Sequence, residues 1–290
     1  VRFAVREAFY HLLLADSLRA IALEQRANFR DILAADSARV RTGDAPERYL
    51  AKSELEFARA DAALIGADAA VRSVRLALQA LMGVEHPDTG FRVTGELAWR
   101  PVSAPNLAGL NDSLVHRPDV AAAQRRVSAS TEARRLATAL LLPVPLLSLV
   151  YQRGAPFPNG QSAALGVGVQ VPVWNFFGGE RARAASSEAL ARIAETRTRA
   201  QAEMDIATAI DQFRSAESRA QRLNTGLLEK ARTAVELSRY AYAAGAISYL
   251  ELLDDLRTHA ETRADAASAL YDYWVSVYAI ARASGREIVP

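Results

Sequence analysis

The residues best placed to do chemistry follow a small-residue break in "YAYAAGAISYLELLDDLRTH", residues 240 to 259. Ala244, Gly245 and Ala246 interrupt a helical pattern, and Glu251, Asp254 and Asp255 stand on its far side. Glu251 and Asp254 are three apart and so share a helical face, where carboxylates could concentrate cations and resist anions. A plainer reading competes for Glu251. Ser248 and Glu251 spell S-x-x-E, a capping box that satisfies orphan N–H groups at a helix start, and a first-turn carboxylate also suits the helix dipole. Asp44 and Glu47, after Gly43, read as the same device upstream. Asp254 is not needed for a cap.

Other chemistry has little to work with. There is no cysteine, hence no thiolate nucleophile or thiolate metal site. His11, His86, His116 and His259 are scattered and none belongs to an HxxxH or HExxH pattern. No nucleophile–base pair or phosphate loop is recognisable, so the expectation is a protein that is not an enzyme and uses no cofactor. With 35 basic against 33 acidic residues and a net charge of +2, nucleic acid is not an expected partner. The basic residues are nearly all Arg and interleave with acids. Glu188 with Arg192, and Glu195 with Arg199, read as i,i+4 pairs on a solvated helix face.

The elements that carry these residues are duplicated. Gly43 and Gly83 punctuate the first part of the chain, Gly245 and Gly285 the last, each pair 40 residues apart and the two copies offset by 202. Upstream of Gly245 an apolar seam runs through Ile206, Ile210, Phe213, Ala216, Ala220, Leu223, Leu227, Ala231 and Ala234, with a mean step of 3.5 residues, the coiled-coil period. A single helix from Glu180 to Ala244 would be about 100 Å long. Its Arg- and Glu-rich faces suit water and not lipid. By the same offset, Val1 matches Glu203, so the first copy is expected to be truncated at its start and the chain a fragment.

Between the copies, "VEHPDTGFRVTGELAWRPVSAPNL" reads as an irregular connector with room for one short strand. A helix comes next, capped by Asn111 or Asp112 and restarted at Pro118. Then the period becomes two. Leu165, Val167, Val169, Val171 and Val173 alternate with Gly166, Gly168, Gln170 and Pro172, and an upstream partner places Leu147, Leu149 and Tyr151 on one face; Pro158, Asn159 and Gly160 supply the turn. Strands of about ten residues can cross a bilayer when tilted. On that reading Leu147, Leu149, Leu165, Val167, Val169 and Val171 face lipid, and Tyr151, Trp174, Phe176 and Phe177 form an aromatic girdle. A soluble ribbon on the helices is the alternative. A lone hairpin has two open edges that cannot sit in hydrocarbon, so the membrane reading requires closure with hairpins of other subunits.

The stretches "RPDVAAAQRRV" (117–127), "VGVQVPVWNFFGGERARA" (167–184) and the run from Tyr240 to Gly285 resemble the outer-membrane efflux protein family typified by TolC, nearest to its CzcC-like heavy-metal branch. The resemblance implies a mainly α fold with one β-hairpin. Long antiparallel coiled coils would form an α-barrel, and the strands a share of a trimeric transmembrane β-barrel. It divides the chain into a first-repeat periplasmic helical hairpin (1–83), an equatorial connector (84–110), a helix (111–142), the transmembrane β-hairpin (143–177), a second-repeat helical hairpin with its tip near 245 (178–285) and a tail (286–290). It further implies a homotrimer in the outer membrane of a Gram-negative bacterium, with its helices in the periplasm. Its partners would be outer-membrane lipid, a periplasmic adaptor and an inner-membrane RND-type pump, and its cargo heavy-metal cations or small molecules. Gly43, Asp44, Tyr242, Gly245 and Ser248 would lie at the periplasmic tip turns. Glu251, Asp254 and Asp255 would form acidic rings at the gate, where crowding raises carboxylate pKa values. A type I secretion duct and a soluble periplasmic coiled-coil adaptor are the alternatives.

Overall fold

Gly43 and Gly245 end their helices by the same set of hydrogen bonds. In the computed structural model, which describes residues 1–88, 90–102, 114, 117–154, 160–171 and 176–285, both glycines have positive φ, +81° and +73°. The N–H of Gly43 bonds the carbonyl of Val40 and that of Asp44 the carbonyl of Arg39; Gly245 and Ala246 bond Tyr242 and Ala241 in the same way. This is the Schellman closure, which needs a left-handed residue that glycine adopts without a Cβ penalty. The duplication is therefore written in the backbone.

The chain forms two compact units, 1–110 with 205–290, and 111–204. The first contains α1 (Arg2–Arg41), α2 (Glu47–Leu81), α5 (Leu228–Ala243) and α6 (Tyr249–Ser284). The second contains α3 (Pro118–Ala139) and the strands β1 (Val144–Arg153) and β2 (Gln161–Gln170). The helix α4 (Gly178–Arg222) supplies residues to each.

In the first unit α1 packs on α2 and on α6, and α5 packs on α6. One core joins Phe29 of α1, Ala60 of α2, Val235 of α5 and Tyr249, Leu252, Leu253 and Leu256 of α6, so both copies share it. Fully burying each such leucine contributes about 1.5–3 kcal/mol. A second core gathers Leu12, Ala15, Val71 and Leu78. The connector has no strand among its described residues and is held by side chains. Buried Gln79 donates to the Asp88 carbonyl (2.8 Å) and accepts from its N–H (2.7 Å). Tyr273 donates to the Arg100 carbonyl (2.8 Å) and Trp274 to that of Ala98 (3.0 Å). Here the polar ends of aromatic residues replace a β-ladder.

The single long helix expected between Glu180 and Ala244 is broken. Leu223–Leu227 forms a kinked turn between two helices, with Thr225 (φ −91°, ψ 82°) and Gly226 (φ 95°, ψ −20°) outside helical geometry. Side chains cover part of the loss: Asn224 bonds the Ala220 carbonyl (2.9 Å) and Thr225 that of Gln221 (2.6 Å). Such a turn shifts the register of the helix beyond it. The buried seam runs as expected through Ile206, Ile210, Phe213 and Ala220, then moves one place to Val235, leaving Ala234 exposed.

In the second unit α3 begins at Pro118, its missing N–H falling at the first helical position, where none is needed. The expected caps Asn111 and Asp112, and the turn residues Pro158 and Asn159, lie outside the described residues. Glu188 is a correction. It is 4% exposed and not a surface decoration: Oε1 accepts from Arg192 (2.7 Å) and from Thr131 of α3 (3.2 Å), and Oε2 lies 2.8 Å from Nε of Arg134. The Arg192 hydrogen bond, first among these, holds its carboxyl below the usual glutamate range. Arg199 pairs with Glu203 at 3.9 Å instead of with Glu195.

Candidate functional site

Two places carry the features expected to work: the paired turns, and the strand hairpin. At the turn before α6, Ser248 is the N-cap, accepting from the Glu251 N–H (3.3 Å) while the Glu251 carboxylate accepts from the Ser248 N–H (2.6 Å). The capping box is complete. The Ser248 N–H and hydroxyl hold the Glu251 carboxyl below its ordinary range. The first copy does not repeat the box. Pro46 occupies the position of Ser248 there and has neither a hydroxyl to accept nor an N–H to donate, so α2 starts without a side-chain cap. Asp44 instead accepts from the Thr42 hydroxyl (2.6 Å).

The three acids separate. Glu251 is used in the cap. Asp255 accepts a hydrogen bond from Ser238 of α5, closing the hairpin on itself. Asp254 is exposed, with no hydrogen bond or ion pair among the described residues; its charge helps hold Arg257 protonated, behind the larger effect of Glu56. Arg257 in turn pairs with Glu56 of α2 at 2.8 Å.

The turn region also contains an acid that the sequence pattern does not single out. Asp36 of α1 is 1% exposed and accepts from the hydroxyls of Ser53 of α2 and Tyr242 of α5 (3.0 Å). The Tyr249 hydroxyl lies 3.3 Å from Ser53, and the Arg39 guanidinium sits 5.8 Å over the Tyr242 ring. One buried carboxylate thus ties the first copy to the second. Burial first, then the bond to Asp36, pushes the Tyr242 hydroxyl up to about 12. The signal was in the repeat: Asp36 and Ser53 lie 202 residues before Ser238 and Asp255, the same pair with donor and acceptor exchanged.

At the hairpin the strands pair antiparallel with Leu147 opposite Val167, Leu149 opposite Leu165 and Tyr151 opposite Ala163. Leu147, Leu149, Leu165, Val167 and Val169 share one face and are all exposed, Leu149 by 75% and Val167 by 79%. Val171 is exposed just past the end of β2. The other face is mixed, with Ser148 opposite Gly166 and Gln152 opposite Ser162 but also exposed Leu146 opposite Gly168 and Val150 opposite Ala164, and a Cβ on Gly166 would meet the Ser148 hydroxyl at 2.7 Å. The aromatic set divides. Tyr151 stands on the apolar face near the hairpin turn, whereas Phe176 and Phe177 come after the other end of the ladder, Phe177 with φ +50°. Trp174 lies outside the described residues. Among those described, no helix is long and apolar enough to cross a membrane, and no group of three or more His, Asp or Glu side chains could hold a metal ion.

No curated protein sequence matches the chain. Solved structures do. A membrane protein from Pseudomonas aeruginosa superposes with a TM-score of 0.85 at 18% identity, covering 98% of this chain and 65% of that one. CusC, described in terms of folding and transmembrane channel formation, gives 0.84 at 19%, over 97% and 67%. The outer membrane protein VceC of Vibrio cholerae gives 0.84 at 18%, over 99% and 70%. The fold is therefore that of TolC-like channels, and this chain spans about two thirds of the length of these structures. The family described as outer membrane efflux protein matches residues 109–286, more than half of the sequence, and the chain belongs to that family.

Proposed function

We propose that the chain is the exit duct of a tripartite efflux system: a homotrimer in the outer membrane of a Gram-negative bacterium, its helices in the periplasm, meeting a periplasmic adaptor and an inner-membrane RND-type pump. The duct performs no chemistry and moves whatever the pump delivers, heavy-metal cations or small molecules. The observation that carries this reading is the hairpin, whose one face is apolar and exposed from the Pro145–Val169 pair to the Tyr151–Ala163 pair and whose two outer edges have no partner strand among the described residues. Only closure with further strands satisfies such edges in hydrocarbon. The Asp36 network holds the two copies together at their turns. Of the three acids, Asp254 is the one left to line a cation-attracting ring, since Glu251 caps a helix and Asp255 bonds Ser238.

The test is purification and reconstitution. The protein should require detergent for extraction, run as a trimer and conduct with a preference for cations, and Asp254→Asn should lower that preference. Extraction as a monomer into detergent-free buffer would overturn the duct. Unchanged selectivity in the variant would remove the ring and leave the duct standing.

A further inference from the structure

Where α3 ends and α4 begins, a recess of about 390 Å³ is lined by Arg134, Arg135, Thr138, Arg181 and Ala185. The Thr138 hydroxyl already donates to the Arg134 carbonyl (3.0 Å), but three guanidinium groups around one small space form an anion-binding set, since each offers five donors in a plane suited to phosphate. They are only partly used. Arg134 gives its Nε to Glu188 (2.8 Å) and Arg135 one terminal nitrogen to Glu132 (2.6 Å). Arg181 has no ion pair among the described residues.

The surroundings of the recess indicate the kind of anion. Leu136 and Leu142 are 66% and 65% exposed beside it in sequence, and Phe176, five residues before Arg181, is 68% exposed. The chain passes from Thr138 to the first residue of β1 at Val144 within six residues, so the guanidinium groups border the helical end of the apolar hairpin. A free inorganic anion gains nothing from exposed leucine and phenylalanine. An amphiphile with a phosphate head and acyl chains uses both features.

We infer that Arg134, Arg135 and Arg181 bind the phosphate of a membrane phospholipid, in the leaflet at the helical end of the hairpin, and fix the depth at which the strands sit. The inference rests on the hairpin lying in a membrane. The experiment is native mass spectrometry of the detergent-purified protein titrated with dimyristoyl phosphatidylglycerol. Arg135→Gln with Arg181→Gln leaves the Arg134–Glu188 pair intact and should weaken lipid retention about tenfold, the loss expected for charge-assisted contacts. Arg125→Gln with Arg126→Gln, the same charge removed earlier on α3, should leave it unchanged, and excess inorganic phosphate should not displace the lipid. Equal retention by the first variant, equal loss in the second, or displacement by inorganic phosphate each overturns the lipid site. A protein that needs no detergent overturns the membrane reading with it, whereas a detergent-dependent protein with unaltered lipid binding overturns this inference alone.

Discussion

Asp36 sits in "ILAADSARV", where nothing local distinguishes it from a surface acid, and yet its carboxylate receives hydroxyls from α2 and α5. Ser248 and Glu251 were legible because a capping box is a local code. Asp36 was not, because its partners come from the fold. The Tyr242 hydroxyl gives this network a measurable signature. Its pKa is raised from 10.0 to about 12. Below pH 10 the folded and unfolded states both carry that proton, and the stabilisation is complete. Between pH 10 and 12 the unfolded chain releases it while the folded one does not, so stability falls as pH rises. Tyr242→Phe removes this contribution. Thermal midpoints of the wild type should drop more steeply across that window than those of the variant, and parallel profiles would show that neither burial nor Asp36 raises the Tyr242 hydroxyl.

At the scale of elements, the matched glycines bounded α1, α2, α5 and α6, and the period-two alternation located both strands. The apolar period failed where an average hid a local change. A mean step of 3.5 from Ile206 to Ala234 ran straight across "LNTGL", whose Asn and Gly are the turn-forming residues the seam passed over. Glu188 failed for a related reason: spacing to Arg192 predicts the pair but not that Thr131 and Arg134 bury it. Gly226 tests whether the break is held. A Cβ there meets nothing within 4 Å, so Gly226→Ala costs only the strain of φ +95°, about 1–2 kcal/mol. The expected result is a lowered thermal midpoint with unchanged helicity. A midpoint that rises would mean that the helix straightens when glycine is removed, and that the shift of the buried seam to Val235 is not built in.

For the molecule as a whole, duplication was the most legible property. Four glycines at matched spacing sufficed: all four have positive φ, and the backbone repeats at Gly245 the hydrogen bonds made at Gly43. The proposed membrane insertion would be written less locally, because a strand's faces differ only by alternation and the edges would acquire partners only in an assembly. The hairpin register turns this into a contrast between adjacent residues. Leu149 lies on the apolar face opposite Leu165, and Ser148 on the other face opposite Gly166. If the first face meets hydrocarbon, Leu149→Arg places a cation in it at a cost of about 2–4 kcal/mol near mid-membrane, whereas Ser148→Arg points into the lumen and is tolerated. In membranes from cells making each variant, the yield of trimer resistant to carbonate extraction should fall for Leu149→Arg and hold for Ser148→Arg. The reverse order would put the lumen on the leucine face, and equal yields would mean that neither face meets lipid, which returns the hairpin to a soluble ribbon packed on helices.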